Sequence, residues 1–310
     1  MRALAEYVMK GRSQAVLAVV LATGTVLFAW VGAAIIALVT LRKGVAQGGY
    51  LLFWGLIPAT ALAAWGDTTP ITTLLGVAVV ASILRTTASW SLTLMAAVFS
   101  GVVTAYLMLT VGSGYIELML QLLGDAFADI GKQPDLLASK EILEGAEGAV
   151  QSAQALKPAT GIPLPTAQQI AGLLGLSNAF TIIMCLVLAR WWQALLFNPG
   201  GFRAEFHSLR LSPQSTTILL ALGILVSLMG SDYTFWAIIF AVPFIFTGFA
   251  LIHGLAAQKQ IKNSWFVLLY CSWLVLEPVR ALLLILAVAD SWLDIRKRLA
   301  SGRPDNGHDS

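Results

Sequence analysis

Apolar residues fall along the chain in near-continuous runs at 14–41, 50–66, 70–89, 91–112, 168–197, 215–230, 233–257 and 264–292. Short charged or Gly/Pro-containing stretches separate them. The runs 91–112 and 233–257 each pass 18 residues without a formal charge, the length and composition of a bilayer span. Lipid offers no water to unpaired backbone groups, so only helices or closed barrels cross it. Barrel strands would alternate over short segments, whereas these runs are continuous. The pattern predicts an all-α, polytopic transmembrane bundle of eight to ten helical segments. It divides the chain into membrane helices at 1–112, an acidic loop at 113–166, further membrane helices at 167–299 and a polar tail at 300–310.

Composition agrees, with 58% hydrophobic residues, 11% charged and a mean hydropathy of +0.80, against about 25% charged in soluble domains. The first run is too long for the apolar core of a cleaved signal and reads as an anchor. Cys185 and Cys271 both lie inside apolar runs, as small buried hydrophobes rather than a disulfide pair.

Lysine and arginine set orientation, since they stay cytoplasmic. With the 113–166 loop outside, Arg42, Lys43, Arg85, Arg190, Arg203, Arg210, Lys259 and Lys262 all face the cytoplasm. The two outer runs then decide the ends. As single spans they would place Arg2, Lys10, Arg12, Arg296, Lys297, Arg298 and Arg303 outside. Folded back as short hairpins, they give fifteen basic residues inside against the three loop lysines outside, with Arg280 at the second turn. Both termini are therefore expected in the cytoplasm of a bacterial inner-membrane protein. One arm of the second hairpin, 264–276, has 13 residues and spans about 20 Å against a hydrocarbon core of roughly 30 Å, so the hairpins are short or re-entrant.

The loop differs from the rest of the chain. Seven acidic residues against Lys132, Lys140 and Lys157 leave it at −4. Its beginning, 115–130, is apolar around most of its circumference and is expected to lie on the membrane or the bundle. Residues 140–156 are Ala- and Glu-rich, which favours a helix, before Pro158, Pro163 and Pro165 break it.

Candidate chemistry is sparse. Glu277-Pro278-Val279-Arg280 puts two charges within an apolar run, which costs roughly 2.5 to 3.5 kcal/mol each at a span centre. Either Pro278 marks a turn at which Glu277 and Arg280 pair, or the two line a substrate or proton path. Asn178, mid-run, is either a helix–helix hydrogen bond or a further member of such a path. Arg190, with Trp191 and Trp192, reads as an aromatic-belt boundary whose arginine reaches the headgroups.

After Asn198-Pro199-Gly200-Gly201, a short helix is predicted. Phe202, Phe206 and Leu209 lie on one face, and Arg203, His207 and Arg210 on its neighbour. Such stripes suit anionic headgroups or a docking partner. His207 lacks Cys or carboxylate at ligand spacing, so no metal is expected. No Walker loop, HExxH, GxSxG or CxxC occurs, so neither an enzyme nor a cofactor is expected. The expected partners are the bilayer and a membrane or cytosolic protein, not nucleic acid.

Arg190-Trp191-Trp192-Gln193, Asn198-Pro199-Gly200-Gly201-Phe202-Arg203, Phe206-His207-Ser208-Leu209-Arg210 and Asp290-Ser291-Trp292-Leu293-Asp294-Ile295-Arg296 resemble the YybS-like family of polytopic bacterial membrane proteins. Leu41-Arg42-Lys43-Gly44 and His253-Gly254 extend that resemblance over most of the chain. It implies a bacterial cytoplasmic membrane and about eight spans, with no substrate or active site to carry over. That family is distantly similar to the substrate-binding membrane subunits of energy-coupling-factor transporters. The expectation is thus a non-enzymatic transport component that binds a small molecule. The alternative is a cell-envelope scaffold docking a partner through residues 198–212.

Overall fold

The computed structural model describes residues 2–64, 66–131, 164–262 and 264–301, and among them every regular element is helical. The helix expected at 140–156, the prolines that follow it and most of the polar tail lie outside the described residues. Fifteen α-helices are described. They are α1 (Arg2–Lys10), α2 (Arg12–Thr23), α3 (Ala29–Lys43), α4 (Val45–Ala63), α5 (Thr69–Thr87), α6 (Trp90–Thr110) and α7 (Ser113–Gly131), then α8 (Ala167–Phe197), α9 (Gly201–Ser208) and α10 (Pro213–Ser227). After these come α11 (Thr234–Ile239), α12 (Val242–Gln258), α13 (Ser264–Val275), α14 (Glu277–Leu293) and α15 (Ile295–Ser301).

Helices α4, α5, α6 and α8 are each long and apolar enough to cross a membrane. Three bent pairs pass the same test jointly: α9 with α10 (61°), Ser231–Ile239 with α12 (46°), and α13 with α14 (109°). Among the described residues, four helices are thus long and apolar enough to span, or up to seven if each bent pair is one span.

The breaks fall where backbone chemistry demands them. The run 233–257 is expected to be one rod, but it bends at Phe240 and Ala241. Pro243 has no N–H for the Ile239 carbonyl, and its ring would collide with it. Pro278 likewise cannot donate to the Leu274 carbonyl, and Leu276 is extended at φ −103°, ψ 113°. The second outer run consequently turns a wide corner rather than folding flat on itself. In the first, α2 stops at Thr23 and a short 3-10 turn at Val26–Phe28 leads into α3, which packs beside α2.

Helix α8 starts with a Thr-x-x-Gln capping box. The Thr166 hydroxyl accepts from the Gln169 amide at 3.3 Å, and the Gln169 side chain accepts from the Thr166 N–H at 3.1 Å. It then runs 31 residues through the middle of the bundle. Helix α3 lies beside it and is buried at every position from Gly32 to Leu41, as a helix enclosed on all sides should be. Apolar side chains cannot distinguish a neighbouring helix from lipid tails, so helices in a bilayer associate where small residues let backbones close in. The α6–α8 contact is built this way. A Cβ added at Gly175 would lie 2.5 Å from the Gly101 carbonyl oxygen, and one at Gly101 would lie 2.7 Å from the Gly175 carbonyl. Helix α7 continues from α6 and packs Ile116 against Met108, Ile170 and Ala171, placing the start of the acidic loop on the bundle.

Hydrogen bonds and a ring contact gather several basic residues at one end. Lys43 donates to the Met9 carbonyl at 3.2 Å. Arg85 donates to the carbonyls of Thr40 and Leu41, satisfying the last turn of α3. Arg42 sits 4.0 Å over the Phe197 ring at the end of α8. The junctions α1/α2, α3/α4 and α5/α6 thus meet the C-terminus of α8 at a shared basic end.

Candidate functional site

The site forms at this basic end because Asn198-Pro199-Gly200-Gly201 folds α9 back over the end of α8. Gly200 turns the chain at φ +86°, a conformation that disfavours a side chain. The fold-back places Glu205 beside Arg190. Arg190 Nε donates to Glu205 Oε1 at 3.1 Å, and its Nη2 donates to Oε2. Trp90 Nε1, on α6, donates to the same carboxylate at 2.7 Å, while Arg190 Nη1 donates to Gln193 at 2.7 Å. Such two-pronged guanidinium–carboxylate contacts are short, directional and strong.

A second network anchors the other side of α9. Arg296 donates to the carbonyls of His207 and, at 2.8 Å, Leu209, and it faces the buried Asp290 carboxylate at 3.4 Å. Asp290 also accepts from the Ile295 N–H at 3.0 Å, tightening the turn after α14. Asp294, left-handed at φ +47°, pairs with Arg210 at 2.9 Å and Lys297 at 3.2 Å. Desolvation acts to raise its pKa, but the Lys297 hydrogen bond and the Arg210 guanidinium hold it below the usual carboxylate range.

Between α9, α12 and α13 lies a cavity of about 560 Å³. Its polar lining is Arg203, His207, His253 and Tyr270, and no carboxylate lines it. His253 Nε2 lies 2.7 Å from the Tyr270 hydroxyl, and its ring stacks on Phe266 with centroids 4.0 Å apart. Phe206 meets His253 edge-on at 5.8 Å, and the His207 ring lies 6.4 Å away. Trp191 and Phe202 complete the aromatic wall. Burial lowers the His207 pKa, and the positive charges of Arg203 and Arg296 lower it further. The cavity therefore combines a positive field, imidazole and hydroxyl groups and aromatic faces, which suits an anionic group attached to an apolar body. Among the described residues, no three His, Cys, Asp or Glu side chains come together as metal ligands.

The residues singled out from the sequence have different fates. Arg203 and His207 reach the cavity. Arg190 and Arg210 are instead paired within the protein, with Glu205 and Asp294. Leu209 and Arg210 lie beyond the helix, which ends at Ser208, so the two stripes are shorter than expected. Trp192 is fully buried rather than part of a boundary belt, while Trp191 is 37% exposed. Cys185 is buried but Cys271 is exposed on α13.

Asn178 is 1% exposed and bonded to two neighbouring helices. It accepts from Thr73 Oγ1 at 2.5 Å and donates to Thr104 Oγ1 at 2.6 Å, tying α8 to α5 and α6. Hydrogen bonds of this kind within membranes average about 0.6 kcal/mol. Glu277 and Arg280 pair with each other at 2.6 Å on the first turn of α14, their side chains 79% and 44% exposed. They are not brought to Asn178 or to the cavity at the basic end.

Glu205 and Tyr270 escaped the sequence reading, while His253, Asp290 and Arg296 entered it only through the family resemblance or the charge count, with no site role. Glu205 had a usable signal, as the one acid on a short helix otherwise read as basic and apolar. His253 had none, because a single histidine in an apolar run carries no indication of its neighbours.

No family model, curated protein or solved structure matches the chain.

Proposed function

We propose that this protein is a non-enzymatic, multi-pass component of the bacterial cytoplasmic membrane that binds a small molecule for transport, with its basic end in the cytoplasm. Both termini lie on that side, the outer helices are short re-entrant arms, and the chain is a relative of the YybS-like family. The observation that carries the binding role is the carboxylate-free cavity between α9, α12 and α13, held open by a helix pinned on both sides. Asn178 is buried and hydrogen-bonded to threonines on two neighbouring helices, and Glu277 and Arg280 neutralise each other at an exposed corner. The ligand site is therefore assigned to the basic end and not to a path through those three residues.

A photo-crosslinking amino acid at Ile261, on the cavity wall, should capture a small molecule from cells, detected by mass spectrometry of the purified protein. Ala257→Trp, which fills the same cavity from α12, should remove that adduct while the protein still runs as a single species in detergent. An adduct of equal yield in both proteins, or none in either, would count against the site.

The orientation is tested separately. A cysteine replacing the exposed Lys262 should resist a membrane-impermeant maleimide in intact spheroplasts and react once the membrane is opened. Labelling before opening would place the basic end outside.

A scaffold role is the second reading, favoured by the rigidity of α9, whose flanks are fixed by Glu205 and Arg296 while Arg203 stays exposed. Recovery of a protein rather than a small molecule at the Ile261 crosslinker would shift the assignment to that role.

A further inference from the structure

We propose that the cavity between α9, α12 and α13 holds the phosphate of an anionic membrane lipid, whose acyl chains run down the exposed face of α13. This rests on the binding role above and names its ligand class. Arg190, Arg210 and Arg296 each face an acidic side chain, whereas Arg203 has no ion-pair partner among the described residues. Arg203 faces a cavity without a carboxylate, so an anion entering it meets an uncompensated guanidinium. His207 and the His253–Tyr270 pair supply hydrogen-bonding groups to the same space. Burial lowers the His207 pKa first, and the guanidinium groups of Arg203 and Arg296 lower it further.

The apolar part follows from α13. Tyr270 lines the cavity and shares a helical stripe with Val267 and Leu274, which are 65% and 69% exposed. Val275 beyond them is 76% exposed. A soluble phosphate would leave this stripe unused, but a lipid fills the cavity with its headgroup and covers the stripe with its chains. Lipid is also present wherever the protein resides.

The test uses the whole protein exchanged into detergent micelles containing phosphatidylglycerol and phosphatidylcholine, with bound lipid counted by native mass spectrometry. One phosphatidylglycerol should be retained in clear preference to phosphatidylcholine. Arg203→Ala should weaken that retention about tenfold, the effect of losing one charge-assisted contact. His253→Phe, which keeps the stack on Phe266 but removes the ring nitrogens, should also weaken it. Arg2→Ala, at an exposed residue on α1, should not. No preference between the two lipids, or an equal loss in Arg2→Ala, would overturn the proposal. Phenyl phosphate serves as the soluble arm. If it binds in an Arg203-dependent way and phosphatidylglycerol does not, the lipid inference fails while the cavity remains a ligand site. If neither probe depends on Arg203 and the Ile261 crosslinker captures nothing, both readings fail together.

Discussion

Gly175→Leu should leave almost no folded protein, and Gly175→Ala should lower stability by about 1–2 kcal/mol net. Even the methyl group of alanine would lie 2.5 Å from the Gly101 carbonyl oxygen and 2.8 Å from the Ala105 Cβ. Neither obstacle is the end of a flexible side chain, so α6 and α8 have to move apart. Overpacking of this kind costs about 1–3 kcal/mol, and the better helix propensity of alanine returns about 1 kcal/mol at most. Leucine adds three more carbons to the same gap. The separation also stretches the bond from Asn178 to Thr104, which joins the same two helices. Thermal unfolding of the detergent-solubilised protein measures the effect, with a shift on the order of 5 °C for alanine. Gly49, in α4, meets nothing within 4 Å, so Gly49→Ala should be neutral or mildly stabilising. Similar losses at both glycines would mean that the α6–α8 contact is not the tight one.

Glu205→Ala should cost about 2–3 kcal/mol and loosen α9 from the bundle. The carboxylate serves Arg190 through two hydrogen bonds and Trp90 through a third, so its removal strands a guanidinium and an indole N–H together. Breaking a fully buried pair costs about 3–5 kcal/mol. The two side chains retain 27% and 25% exposure, and solvent screening reduces the figure accordingly. The double variant Arg190→Met/Glu205→Leu should recover much of the loss, because no unpaired charge remains. Hydrogen exchange across 201–208 should rise in Glu205→Ala and return towards normal in the double variant. An unchanged exchange pattern in Glu205→Ala would show that Arg296 and packing alone hold α9. For comparison, Glu277 is 79% exposed and its loss should matter little to stability.

The helices were legible because each depends on residues close in sequence. The run 168–197 matches α8, Ala167–Phe197, almost to the residue. The prolines at 243 and 278 mark real breaks, although 233–257 reads as unbroken when only its hydropathy is followed. The site was less legible. Arg203 and His207 stand out as polar residues beside an apolar stripe, and both reach the cavity. Arg190 looks identical at that level, yet it is consumed by Glu205 on the far side of a turn. Asn178 finds its partners 105 and 74 residues away, on helices whose adjacency no local pattern discloses.

The amino-acid sequence by itself determined the apolar, all-helical character of this protein, the break at Pro278, and the grouping of its arginines and lysines between apolar runs. Those properties are set by hydropathy and backbone chemistry within a few residues. Only the tertiary structure decided which of the charges neutralise each other and which stay available to a ligand. Arg190, Arg210 and Arg296 meet carboxylates, while Arg203, chemically the same group, faces a cavity without one. The physical reason is that lipid exerts no hydrophobic pressure to order one helix against another. Close contacts such as Gly101 with Gly175, between sequence-distant segments, choose the neighbours and so the charge partners.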